Sequence, residues 1–102
     1  MEKYGVNGKI IATAGARAQI QKYLLEAAEE MKNLPSCHCY IVGINPDEED
    51  AVYVFEVWEN EEAHQAALKQ RVFQDLIAKA RPFIAGMEDF PSLTIVGGKA
   101  EL

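Results

Sequence analysis

The sequence predicts an α+β fold in which elements follow one another as strand, helix, strand, strand, helix, strand. Three observations carry that reading. Val52 to His64, VYVFEVWENEEAH, passes from an unbroken β-branched and aromatic run directly into a capped helix start. Apolar residues recur at helical spacing on both sides of that run, from Arg17 to Leu34 and again beyond Asn60. Pro35 and Pro82 stand where those two helical regions must end or kink.

Val6 to Thr13, VNGKIIAT, is the first strand, closed by Ala14-Gly15. In the helix that follows, Ile20, Leu24, Ala27, Ala28 and Met31 form the apolar stripe, with Lys22, Glu26, Glu29 and Glu30 largely opposite. Cys37 to Ile44 is the second strand. Tyr40, Val42 and Ile44 lie on one side of it, Cys39, Ile41 and Gly43 on the other. The same alternation puts Cys37 and Cys39 on a shared face with His38 turned away. Asn45-Pro46-Asp47 turns the chain, and an acidic loop through Asp50 completes a hairpin with the third strand.

Along that third strand Val52, Val54, Glu56 and Trp58 point one way and Tyr53, Phe55, Val57 and Glu59 the other. Most positions on both sides are apolar, so both faces need cover. Asn60 caps the next helix, and Glu61 and Glu62 suit the positive end of its dipole. This helical region has two pieces, one marked by Ala63, Ala67 and Leu68, the other by Val72, Phe73, Leu76, Ile77 and Ala80. Gln70-Arg71 is the place for a break between them. Phe83 to Phe90 is a connection, and Leu93 to Val96 is the last strand, trailing into Gly97-Gly98.

With right-handed crossovers this order builds a ferredoxin-like, four-stranded antiparallel sheet with its helices on one side. Helices on one side leave the other face of the sheet bare, an apolar area larger than monomers ordinarily leave wet. The expectation is an isologous homodimer whose sheets pack face to face.

At 102 residues the chain is one domain, 1–102, large enough for a single core. A net charge of -6 argues against nucleic acid and anionic membrane surfaces as partners, since neither attracts an acidic protein, though a small local basic patch is compatible with it. No apolar run reaches transmembrane length, and MEKYGVNGK has no signal-peptide core, so the cytoplasm is the expected location. Cys37 and Cys39 fit it as reduced thiols. On a strand, CHC cannot close around a metal, and two small side chains packed in a sheet is the preferred reading.

Taken together, the residues resemble the antibiotic biosynthesis monooxygenase family, small dimeric α+β-barrel proteins that include quinol monooxygenases. YGVNGKIIATAGAR is similar to the opening strand and turn, and LLEAAEEMKNLPSCHCYIV to the first helix running into a PGC-x-x-Y segment. VYVFEVWENEEAH resembles an E-x-W-x-x-x-E-A-H signature, and ARPFIAGMEDFPSLTIVGG the closing segment of one branch. There are departures. Ser36 stands where a glycine is frequent, and Ala67 is the nearest position to a histidine often found beyond the signature. Haem-degrading relatives place an iron-ligating histidine in the second helical piece, where VFQDLIAKA has none, so haem degradation is not implied.

The resemblance implies oxidation of a small aromatic, quinol-like substrate by O₂ with no metal, flavin or other cofactor. A deprotonated, electron-rich substrate then supplies the electrons itself. The protein must furnish a dry cavity between sheet and helices, a base, and a group that stabilises negative charge. Trp58 is the first candidate for the cavity wall, or else a plain core aromatic. His64, on the stripe of Leu68, can face inward as a proton-transfer group or sit half-exposed near the helix start. Tyr40 and Tyr53 are candidates for orienting a hydroxyl, with at most one of them inward. Glu56, on the Trp58 side of an apolar strand, must be paired, hydrated or raised in pKa; pairing with Arg81 is the preferred account. Arg81 is also the candidate for stabilising an oxyanion. Two other readings share these residues: an isomerase or decarboxylase acting on a small carbonyl compound, and a non-catalytic dimeric module that binds a small apolar molecule.

Overall fold

A computed structural model describes residues 2–100, so residues 1, 101 and 102 of the expected domain lie outside the described part. The chain runs β1 (Lys3–Ala12), α1 (Arg17–Met31), β2 (Cys37–Gly43), β3 (Ala51–Trp58), α2 (Glu61–Leu68), α3 (Arg71–Ala80), a 3₁₀ turn (Arg81–Phe83), β4 (Ile84–Asp89) and β5 (Leu93–Ile95). The helical region after Asn60 does break near Gln70, and Pro82 lies inside the 3₁₀ turn that ends α3.

All the strand pairings are antiparallel, in the order β2-β3-β1-β4, with β5 also on β1. This is the ferredoxin-like arrangement, with one strand more than expected. Ile84–Asp89, read from sequence as a connection, is β4. It pairs with Gly8–Ala12 of β1, while β5 pairs with Lys3–Gly5. Since β3 occupies one edge of β1, the two strands lie end to end along the other. The sheet is therefore four ribbons wide, the outermost being made of two pieces. Pro91, which has no N–H to give a ladder, sits at the joint. Asn7 bridges it: its carbonyl accepts from Phe90 N–H and its side-chain amide donates to Pro91 O. Gly5 lets β5 close in, for a Cβ there would stand 2.8 Å from Ile95 Cδ1.

A second difference concerns the cysteines. The register shifts between Cys37 and Cys39, with Cys37 opposite Trp58 and Cys39 opposite Val57. This bulge puts the two thiols on opposite faces of the sheet, not on the shared face that simple alternation predicts. Cys37 joins the core beneath the helices, and Cys39 faces the other way.

The core has two centres on the helix side. Ala27, Met31, Trp58, Ala67 and Phe73 form one, at the Trp58 end of β3. Ala12, Ile20 and Val52 form the other, at its start, with Phe83 and Ile84 packed against them. The opposite face carries Cys39, Ile41, Phe55, Val57 and Ile95, all half-buried, beside an open groove of about 590 Å³. Two charged groups flank this apolar strip. At one end Lys3 bonds both carboxylate oxygens of Glu59 at 3.1 Å, with His38 Nε2 at 2.6 Å from Oε2. At the other, Lys9 pairs with Glu48, which also accepts from the Tyr53 hydroxyl. Among the described residues no helix is long and apolar enough to cross a membrane.

The turn from β3 into α2 is fixed by Asn60, whose Oδ1 accepts from Ala63 N–H at 2.8 Å. An Asn60→Ala variant should lose about 1 kcal/mol of stability. Urea denaturation measures it; an unchanged midpoint would show that this cap is not what holds the turn.

Candidate active site

The cap at Asn60 has a geometric consequence. The chain leaves β3 just after Trp58 and turns at once into α2, where His64 N–H bonds back to Asn60 O at 3.4 Å. One helical turn therefore returns the His64 side chain over the end of the strand it has just left. The indole of Trp58 and the imidazole of His64 lie 5.5 Å apart between ring centroids, tilted by 57°. Tyr4, directly across from Trp58 in the β1–β3 register, sits 5.9 Å from the same imidazole.

Glu56 stands two residues before Trp58 on the same face of β3. Its Oε1 accepts from Trp58 Nε1–H at 2.9 Å and lies 3.7 Å from His64 Nε2. The second distance is within ion-pair range but too long for a hydrogen bond. The Glu56 and His64 side chains retain only 15% and 12% of their exposure. Tyr40 is Glu56's neighbour across the β2–β3 register and packs on the same core centre, as does Cys37. The other ring nitrogen of His64, Nδ1, is buried with no hydrogen-bond partner.

Burial sets the electrostatics. Desolvation raises the Glu56 carboxyl above its usual range, partly opposed by the Trp58 hydrogen bond. Desolvation lowers His64, opposed weakly by the negative charge of Glu61. Tyr40 is raised by burial and then by Glu56, so its phenol stays protonated. The Cys37 thiol is pushed up to about 11, first by burial. It is therefore a packed thiol, with little of the thiolate character a nucleophile needs.

The structure thus gathers four of the six expected site residues: Trp58, His64, Glu56 and Tyr40. Tyr53 is not among them. It lies on the opposite face, opposite Gly43 and Lys9, with its hydroxyl on Glu48. Arg81 is not among them either. It is exposed in the 3₁₀ turn beside the other core centre, near Val52, roughly 20 Å along β3 from Trp58 at about 3.3 Å per residue. The expected Glu56–Arg81 pair is accordingly replaced by contacts of Glu56 with Trp58 and His64. Trp58 is fully buried, with Tyr4, Val6, Leu34 and Ala63 among the residues packed around its core centre. In this conformation it is a core side chain tied to Glu56, while Tyr4, Tyr40, Glu56 and His64 around it are each partly exposed.

Sequence reasoning missed Tyr4 and Cys37. Tyr4 shares the period-two face of Val6, so starting the first strand two residues earlier would have found it. Nothing in the sequence announces the bulge that turns Cys37 inward. Among the described residues, no group of three or more His, Cys, Asp or Glu side chains is placed to hold a metal ion.

Residues 3–79 match the family model described as Antibiotic biosynthesis monooxygenase. A "putative Antibiotic biosynthesis monooxygenase" from Chloroflexus aurantiacus J-10-fl has a crystal structure similar to this one. It is 38% identical, with a TM-score of 0.87 over 96% of this chain and 97% of that one. A protein of the same description from Caulobacter crescentus CB15 superposes with a TM-score of 0.81 at 23% identity, covering 93% and 91% of the two chains. PA3566 from Pseudomonas aeruginosa does so at 0.84 and 12% identity, covering 95% and 97%. At these identities the last two show the fold alone. No curated protein matches the sequence. The match over residues 3–79, together with the 38% identical relative, places this chain in the antibiotic biosynthesis monooxygenase family.

Proposed function

We propose that this protein is a cofactor-independent monooxygenase that oxidises a small phenolic or quinol substrate, working as a homodimer. Family membership supports a monooxygenase-like role in general. The observation that carries the finer reading is the pairing of His64 with Glu56, both largely buried beside Trp58. Burial keeps the imidazole neutral at neutral pH, the form able to take a proton from a substrate hydroxyl. The resulting phenolate is electron-rich enough to reduce O₂. One oxygen atom enters the product, the other leaves as water, and all the electrons come from the substrate. The site must open to admit a ring, and α2 is the element best suited to give way. It is eight residues long, and Ala67 is its one fully buried residue.

The dimer follows from the bare sheet face. Ile41, Phe55, Val57 and Ile95 form an apolar centre, with ion pairs at either end that are already satisfied within one chain. An apolar middle with a polar rim is the anatomy of a specific interface. Covering about 800 Å² per subunit, at ~25 cal/mol per Å², is a strong drive even after the costs of association.

Purified protein should consume oxygen when given hydroquinones, and His64→Ala should slow it by roughly 10²–10⁴-fold, the usual contribution of a general base. Arg81→Ala should leave the rate unchanged. Oxygen uptake no faster than autoxidation across a panel of such compounds would remove the reading, and turnover that persists without oxygen would favour the isomerase or decarboxylase. The rate should rise with pH along one acid limb centred below the ordinary histidine value of about 6.5, then stay level through neutrality. A limb centred above that value would argue against a buried, neutral His64. In sedimentation, the wild-type protein should run as a dimer and Phe55→Glu as a folded monomer; a wild-type monomer at micromolar concentration would discard the interface.

A further inference from the structure

We propose that His64 works through its buried Nδ1, which Glu56 keeps as a bare lone pair, and that this nitrogen is the atom that receives the proton of a substrate hydroxyl. The substrate class rests on the function proposed above; the assignment of the two ring nitrogens does not.

A neutral imidazole has one N–H and one acceptor nitrogen. Nδ1 is buried with no partner, while Nε2 is 3.7 Å from Glu56 Oε1. With the hydrogen on Nδ1, a buried donor would have nothing to bond, which is the rarer and costlier kind of orphan. The lone pair of Nε2 would also face the carboxylate oxygen. With the hydrogen on Nε2, the N–H faces Glu56 and the orphan is only an acceptor awaiting a donor. Glu56 is itself fixed, because Oε1 accepts from Trp58 Nε1–H at 2.9 Å. The remaining titratable groups near the pair are Tyr4, Cys37, Tyr40 and Glu61, and none of them bonds to Nδ1.

Glu56 is thus a positioning residue that acts on the substrate through His64. When the hydroxyl O–H breaks, its proton goes to Nδ1 and its electron pair stays on oxygen as a phenolate. The imidazolium then carries hydrogens on both nitrogens, with Nε2–H still directed at the carboxylate. A substrate without a hydroxyl donor leaves Nδ1 unpaired and binds less well.

The test is ¹⁵N NMR on full-length His38→Asn protein. That substitution lies on the outer face of the sheet, where His38 contacts Glu59, and it leaves His64 as the only imidazole. At mildly alkaline pH the expected spectrum shows a protonated Nε2 and an unprotonated Nδ1. Adding phenol, a hydroxyl donor, under anaerobic conditions in which it cannot be oxidised should shift the Nδ1 resonance and leave Nε2 nearly unmoved. In Glu56→Gln the amide oxygen can still accept from Trp58, so the indole N–H signal should stay while His64 becomes a mixture of tautomers. An Nδ1–H tautomer before Glu56 is changed overturns the proposal. So does a phenol titration that moves Nε2 or neither nitrogen, and so does a Glu56→Gln spectrum with His64 unchanged. The first two readings need no variant at Glu56, so a misfolded Glu56→Gln cannot shelter the idea. None of them uses oxygen turnover. A protein that binds phenol at Nδ1 but never oxidises a hydroquinone would retire the proposed function and leave this assignment standing.

Discussion

The hydrogen bond from Trp58 Nε1 to Glu56 is the contact on which the site depends. A carboxylate on the inner face of an apolar strand faces a desolvation cost of several kcal/mol if nothing offsets it. Trp58 supplies one donor, and it does so from a fully buried ring. The bond has two effects at once. It gives the largest core side chain a fixed orientation, because the indole N–H must reach its acceptor. It also leaves the carboxyl incompletely satisfied, so burial still dominates and the pKa stays raised. The orientation of the core ring and the ionisation of the carboxyl therefore meet in the same pair of atoms. The tryptophan is a core residue by burial and part of the site by its bond.

The second constraint is the inequality between the two faces of the sheet. The helices shield the side bearing Val52, Val54 and Trp58, all of them buried. The side bearing Ile41, Phe55 and Val57 has no helix. The charges that β1 and β3 carry on that second side stand at its ends, where Lys3 pairs with Glu59 and Lys9 with Glu48. His38 and then Lys3 hold the Glu59 carboxyl below its usual range, and Lys9 and then Tyr53 do the same for Glu48. Charges so arranged need not be stripped of their partners when another surface covers the strip. A partner meeting this face thus avoids the desolvation cost that unpaired charges would impose.

Much of this was legible in the sequence, for definite reasons. Period-two alternation along β3 sorted its residues between the faces correctly, because every side chain from Val52 to Glu59 obeys the pleat. The Asn60 cap was legible because a short polar side chain before two glutamates has few other uses. Strand β4 was not. IAGMED has one β-branched residue, a glycine and two acids, and it forms a strand only because the free edge of β1 accepts it. The bulge at Cys37 leaves no mark in composition, so alternation misplaced that thiol. Arg81 failed as a partner for Glu56 because sequence shows which charges exist but not how far apart two ends of a sheet are. Which residues share a face of β3, and where the helix after it starts, were readable; which of them bond to one another, Glu56 to Trp58 included, was not. Nor were contacts between distant elements.

The two pKa displacements in the site oppose each other in their effect on stability. A histidine whose folded pKa lies below its unfolded value binds fewer protons when folded, so its contribution is lost as pH falls from the unfolded value toward the folded one. A carboxyl whose folded pKa lies above its unfolded value binds more protons when folded, so its contribution is lost as pH rises through the corresponding window. Burial thus favours the uncharged form of both partners. It moves a group that starts near 4.5 upward and one that starts near 6.5 downward. The apolar surroundings that make Glu56 and His64 unfavourable to bury are the same surroundings that shift each of them toward its neutral form.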